Sequence, residues 1–219
     1  VCEKLKHCAS KSLLVICDGG VCREELLLPH LQPALEGLFQ LVKQGKTKTK
    51  EDALTTISSI TSVIGEKFEP YFNVFMPLAI DVLKLSATEE NVNVRGRAVE
   101  CIGFIGTSVG KERFAPFVKD VMAEFLRILN SPDDAEGRVG NEYLLQGCVR
   151  VCECLGADFV PYLQHILPKI FKALLATEIV IESGDVEEQE SNEAYVRLAV
   201  QLAGHDDRVV GVNTHALQE

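Results

Sequence analysis

The sequence predicts an all-α protein built as a solenoid of antiparallel helix pairs. Two observations carry that prediction: a segment that recurs with its prolines 46 and then 45 residues apart, and apolar residues at helical spacing on both sides of each copy. The segment is Gly65-Glu-Lys-Phe68-Glu-Pro70-Tyr71. It returns as Gly110-Lys-Glu-Arg-Phe114-Ala-Pro116-Phe117 and as Gly156-Ala-Asp-Phe159-Val-Pro161-Tyr162. A fainter copy is centred on Gly19, Gly20 and Pro29, with Pro33 lying 44 residues before Pro77.

Each copy has the logic of helix, turn, helix. Ahead of the glycine, apolar residues recur at i, i+4, i+7 and i+11: Ala53, Ile57, Ile60, Ile64 in one copy and Ala98, Ile102, Ile105, Val109 in the next. Gly65, Gly110 and Gly156 fall where a helix end calls for a left-handed residue. The prolines follow where a new helix tolerates a missing N–H. Second stripes then run through Val118, Val121, Met122, Phe125, Ile128 and Leu129, and through Leu163, Ile166, Leu167, Ile170, Phe171 and Leu174. Pro77 and Pro168, each seven residues past the repeat proline, either kink the second helix or mark where it begins.

Composition sets the bounds. A chain of 219 residues, 47% hydrophobic and 25% charged, fits one globular domain or one stretch of a larger array. It can bury a core without metal or disulfide staples. Its eight cysteines are sparse and cluster in helical stretches (Cys148, Cys152, Cys154), and no N-x-Ser/Thr sequon occurs, a pattern of reducing compartments. Apolar runs such as Leu13 to Cys17 are too short for a bilayer, so no membrane partner is expected. Val1 opens directly into a charged helical pattern, as expected of a chain that starts inside a longer protein. A net charge of −10 repels nucleic-acid phosphates and makes basic proteins the natural electrostatic partners.

The repeat length and the pattern Val94-Arg95-x-x-Ala98-x-x-x-Ile102-Gly103 resemble the first helix of a HEAT repeat. The predicted division is a partial HEAT unit at 1–45, units at 46–88, 89–131 and 132–176, an insertion at 177–213, and the start of a further unit at 214–219. The run Glu66-Lys-Phe-Glu-Pro-Tyr-Phe72, with Phe75-Met-Pro77, Arg95-Gly96, Glu100-Cys-Ile102 and Val109-Gly-Lys-Glu112, resembles the middle of an importin-β-type karyopherin of the importin-five-like branch. That resemblance implies a nuclear import receptor shuttling between cytoplasm and nucleus. It would carry basic protein cargo such as ribosomal proteins through the nuclear pore under control of the Ran GTPase. The resemblance also implies first helices on the outer layer and second helices on the inner, cargo-facing one. The inner surface opposite the apolar stripe would then include Glu36, Asp81, Asp120 and Glu124, interspersed with Lys84, Arg127 and Lys172. A HEAT-repeat scaffold or adaptor of phosphatases or chromatin is the alternative that shares every repeat feature.

From Glu178 to Glu193 the chain holds seven acidic residues (Glu178, Glu182, Asp185, Glu187, Glu188, Glu190, Glu193) and no basic one. Such a run forms a solvated spacer or an acidic loop that captures basic cargo, with Glu182, Asp185, Glu187, Glu188 and Glu190 as its contacts. Beyond it, Val196, Leu198, Val200 and Leu202 alternate with Arg197, Ala199, Gln201 and Ala203. A Gly204-to-Asp207 turn and a second alternating run, Arg208 to Val212, follow. This predicts a short β-hairpin, the rival being a helix from Asn192 ended by Gly204.

Other constellations read as structure. Cys148 and Cys152 lie i, i+4 on an apolar helical face, so small buried thiols explain them better than zinc shared with Cys154 and His165. His7 and Cys8 are neighbours, which point to different faces of a helix. Gly106-Thr-Ser-Val-Gly110-Lys111-Glu112 misses the phosphate-loop spacing by one residue and has Glu112 where a magnesium-binding hydroxyl belongs. Lys43, Lys46, Lys48 and Lys50 form a basic tract between units. No catalytic residue, cofactor or metal is assigned, and the expected action is binding. If the repeat core alone sustains the fold, neither a chelator nor a reductant should move the melting temperature by more than about 5 °C. Thermal melts followed by circular dichroism measure this.

Overall fold

The computed structural model describes residues 12, 24–85, 88–130 and 137–169. A helical turn at Glu24–Leu27 and a 3-10 turn at Leu28–His30 lead into α1 (Leu31–Gln44). There follow α2 (Thr47–Ile64), α3 (Glu69–Leu83), α4 (Glu89–Val109), α5 (Lys111–Leu129) and α6 (Gly137–Leu155). The last helix, α7, covers 160–169. No strand occurs among the described residues. The acidic run and the predicted hairpin at 196–212 lie outside them.

The helices form two layers. α2, α4 and α6 pack side by side in one, α1, α3 and α5 in the other, and α3 and α5 also lean on α4 and α6. The stripes read from the sequence form the core between the layers: Ala53, Ile57, Ile60, Ala98, Ile102 and Ile105 are fully buried from the first layer, Val121, Met122 and Phe125 from the second. This is a helical-hairpin solenoid, the architecture of HEAT repeats.

The turn inside each pair is set by its glycine and the phenylalanine that follows. Gly65, Gly110 and Gly156 have φ of 53°, 82° and 56°, where side chains with a Cβ are strained. Phe68, Phe114 and Phe159 are each buried. In two copies the phenylalanine comes three residues after the glycine, and a 3-10 turn spans the gap: Gly65–Phe68 and Gly156–Phe159. In the middle copy it comes four residues after, and the turn is α-helical, with the Phe114 amide donating to the Gly110 carbonyl at 3.1 Å. The residue count therefore selects the turn type, and in each case the ring reaches the core. α3 begins at Glu69 and runs through Pro77, so that proline is interior and does not mark the helix start.

Successive pairs are tied along the turn edge by ion pairs: Lys67 with Glu24, Arg113 with Glu69, and Lys111 with Asp158 at 2.8 Å. All are well exposed, so each contributes at most about 1 kcal/mol and serves register more than stability.

α4 and α6 approach closely at their glycines. A Cβ on Gly147 would lie 2.3 Å from Val99 Cγ1 and 3.1 Å from the Phe125 ring, while one on Gly37, in the exposed face of α1, would meet nothing within 4 Å. Gly147→Ala should therefore destabilise by roughly 1–3 kcal/mol through overpacking. Gly37→Ala should stabilise by about 0.5–1 kcal/mol by restricting the unfolded chain. Urea midpoints of the two variants should move in opposite directions.

Candidate functional site

The second-helix layer carries the candidate carboxylates. Aligning the pairs on Pro70, Pro116 and Pro161 puts Asn73, Lys119 and Gln164 in one exposed row, and Val74, Asp120 and His165 in the next. Asp81 and Arg127 share the row about two helical turns further on. Glu36, Asp81 and Asp120 are exposed and Glu124 is half-buried. The face carries charges of both signs together with the exposed Val74, and the carboxylates differ in how far they are already engaged.

Glu36 accepts a hydrogen bond from Gln32 Nε2 at 3.0 Å, within its own helix. Asp81 has the Lys84 ammonium at 3.7 Å, both side chains more than half exposed. Glu124 is held more firmly. Arg127 Nε donates to its Oε2 at 2.7 Å, and Arg127 Nη2 donates to the Leu83 carbonyl at 2.9 Å, the last backbone acceptor of α3. One guanidinium thus joins the turn carrying Asp81 and Lys84 to the turn carrying Glu124. The Glu124–Arg127 step is visible in the sequence as an i, i+3 pair. The bond to Leu83 joins residues 44 apart and has no local signature. Glu182, Asp185, Glu187, Glu188, Glu190 and Lys172 lie outside the described residues.

The first-helix layer pairs cations with rings. Arg97 lies 5.1 Å from the Tyr143 ring centroid and Arg150 lies 3.6 Å from that of Phe104. Burial works against the charge of Arg97. The Glu100 carboxylate at 2.8 Å and Tyr143 outweigh it, leaving the guanidinium pKa raised. No helix among the described residues is long and apolar enough to cross a membrane.

Two layers of antiparallel helices repeated in this way define a helical-repeat solenoid. Residues 29–187 match the family described as "Importin subunit beta-1-like, TPR repeats", and the chain belongs to that family. It is 34% identical over 168 residues to importin subunit beta-3 of Saccharomyces cerevisiae, covering 77% of this chain and 15% of that protein. It is 29% identical over 156 residues to an importin-5 homolog of Dictyostelium discoideum, covering 71% and 14%. Solved structures of Kap121p bound to Pho4p and bound to RanGTP are similar, each with a TM-score of 0.65. Their identities are 32% and 31%, and the match covers 76% of this chain and 15% of theirs. The chain thus spans about 15% of the length of the relatives it matches. Those relatives are transport receptors, not enzymes.

Among the described residues the cysteines line or border the core. Cys101, Cys148 and Cys152 are buried and Cys154 is half-buried, with its Sγ 3.2 Å from the Gly106 carbonyl. His165 is exposed on α7. Among the described residues no three His, Cys, Asp or Glu side chains group as metal ligands. Burial pushes the thiols of Cys101 and Cys148 up to about 12, and Cys152 to about 11. A thiol whose pKa is higher folded than unfolded binds its proton more tightly in the folded state. Its contribution to stability is complete below the ordinary value of 9.0 and is lost as pH rises from there towards 12. Urea midpoints should fall over that window, and Cys101→Ser/Cys148→Ser should flatten the fall. Iodoacetamide at neutral pH should leave both thiols unmodified until urea opens the fold.

Proposed function

We propose that the chain is a segment of a nuclear import receptor whose second-helix layer holds basic protein cargo. The observation that carries it is a set of exposed carboxylates, Glu36, Asp81 and Asp120, one on each of three successive second helices of an importin-β-like chain. Glu124 adds a fourth, shielded acid. Kap121p, similar in fold, has been solved with Pho4p, with Nup53p and with RanGTP. By analogy the full receptor carries basic cargo, passes the pore and releases its load under Ran control, shuttling between cytoplasm and nucleus. The acidic run contributes Glu182, Asp185, Glu187, Glu188 and Glu190 as a capture loop, raising the local concentration of a Lys/Arg-rich segment without fixing one pose.

Charges that act this way are screened over about 8 Å at physiological ionic strength. An oligolysine peptide should bind the 219-residue chain with an affinity that falls steeply as salt rises. Glu187→Gln/Glu188→Gln/Glu190→Gln should slow its association more than it speeds dissociation in stopped-flow traces. An unchanged association rate at low salt would remove the acidic run from capture. Binding indifferent both to salt and to Asp120→Asn/Glu124→Gln would overturn the cargo surface itself.

A further inference from the structure

The carboxylates of the second-helix layer are not equally available to a basic ligand, and the difference lies in how each intramolecular cation is held. Lys84 approaches Asp81 at 3.7 Å as a flexible, strongly hydrated ammonium, an arrangement that solvent and salt loosen readily. Arg127 is different. Its planar fork is fixed at two points from two helix pairs, the Glu124 carboxylate at 2.7 Å and the Leu83 carbonyl at 2.9 Å. The Glu124 side chain is 17% exposed and that of Arg127 is 47% exposed, so the acid is mostly buried while its cation reaches solvent.

We propose that Arg127 is a built-in competitor of basic ligands. It occupies the Glu124 carboxylate that an incoming Lys or Arg would otherwise take, and so sets the affinity threshold of this part of the layer. The Leu83 carbonyl makes the exchange workable. It lies at the C-terminal end of α3, where the helix dipole favours a cation. When a ligand cation takes Glu124, Arg127 keeps its charge-assisted hydrogen bond to the Leu83 carbonyl. A ligand with one isolated positive charge gains little by displacing it. A ligand with several cations, engaging Asp81 and Asp120 at the same time, covers the cost from its other contacts. The arrangement therefore selects for dense basic segments over singly charged ones.

This rests on the cargo-surface reading above, and the test separates the two. Oligolysine binding to the 219-residue chain would be measured by fluorescence anisotropy at low salt for Arg127→Met, Glu124→Gln, the double variant and Arg127→Lys. Arg127→Met keeps the apolar stem and removes the charge, so it should tighten binding roughly two- to fivefold, the range of an exposed ion pair. The gain should vanish in the Glu124→Gln background, which is the signature of competition for that one carboxylate. Arg127→Lys keeps the charge but loses the fork, so its binding should tighten measurably but less than that of Arg127→Met. Unchanged or weaker binding in Arg127→Met, a gain that survives Glu124→Gln, or equal gains in the Lys and Met variants would overturn the proposal while leaving the cargo surface standing. Binding that responds to none of these variants nor to Asp120→Asn would overturn both. Circular dichroism melts of each variant separate a lost fold from a changed affinity, and Arg127→Lys carries the test if the methionine variant does not fold.

Discussion

Everything about the two-layer arrangement depends on the reversal at the end of each first helix. A helix pair can bury both apolar stripes only if the chain turns back within a few residues. That requires a residue with positive φ followed within about one turn by a side chain that anchors the new helix to the core. Gly65, Gly110 and Gly156 supply the first requirement and Phe68, Phe114 and Phe159 the second. The rest is consequence. The anchored ring fixes the rotation of the second helix, and that rotation decides which residues face the core and which face solvent. The polar rows of the second-helix layer exist because the phenylalanine has already chosen the opposite face.

The middle pair shows how tolerant this device is. One extra residue lies between Gly110 and Phe114, which would swing the ring about a quarter turn on a continuous helix. The structure absorbs it by replacing the 3-10 turn with an α-helical one that starts directly after the glycine. Gly106 completes the adjustment, since a Cβ there would sit 3.2 Å from the Phe114 ring. The extra residue is plain in the sequence, but its structural meaning comes only from the requirement that the ring reach the core.

That contrast shows what the sequence made legible. Helix pairs, their glycine reversals and their buried stripes rest on local spacing, and residues such as Ala53, Ile57 and Ile60 could be assigned to the core from periodicity alone. The exposed candidate acids Glu36, Asp81 and Asp120 follow from the same rule read in reverse. What escaped was whatever joins one pair to the next. The bond from Arg127 to Leu83, the pairs of Lys111 with Asp158 and Arg113 with Glu69, and the seat of Tyr143 against Gly96 all link residues roughly one repeat apart. Their partners become identifiable only once the register between units is known. Glu124 illustrates the cost. Its partner Arg127 is three residues on in the same helix, but the second hold on that arginine, from the Leu83 carbonyl, comes from the neighbouring pair.

A repeat built this way also constrains the form of any ligand that lies along it. Neighbouring packed helices are separated by about 8–10 Å, while an extended peptide advances about 3.3–3.6 Å per residue. A stretched segment crossing the second-helix layer therefore passes roughly one helix every three residues. No single row offers more than a weak, solvent-screened contact: Asp81 has Lys84 beside it, and Asp120 follows Lys119 in the chain. Affinity must then be assembled from several rows at once, with each later contact made intramolecular by the earlier ones. In such a surface the spacing of the rows does the discriminating. The Gly–Phe reversals that hold the helices in register thus also set the interval at which a partner's charges would have to be presented.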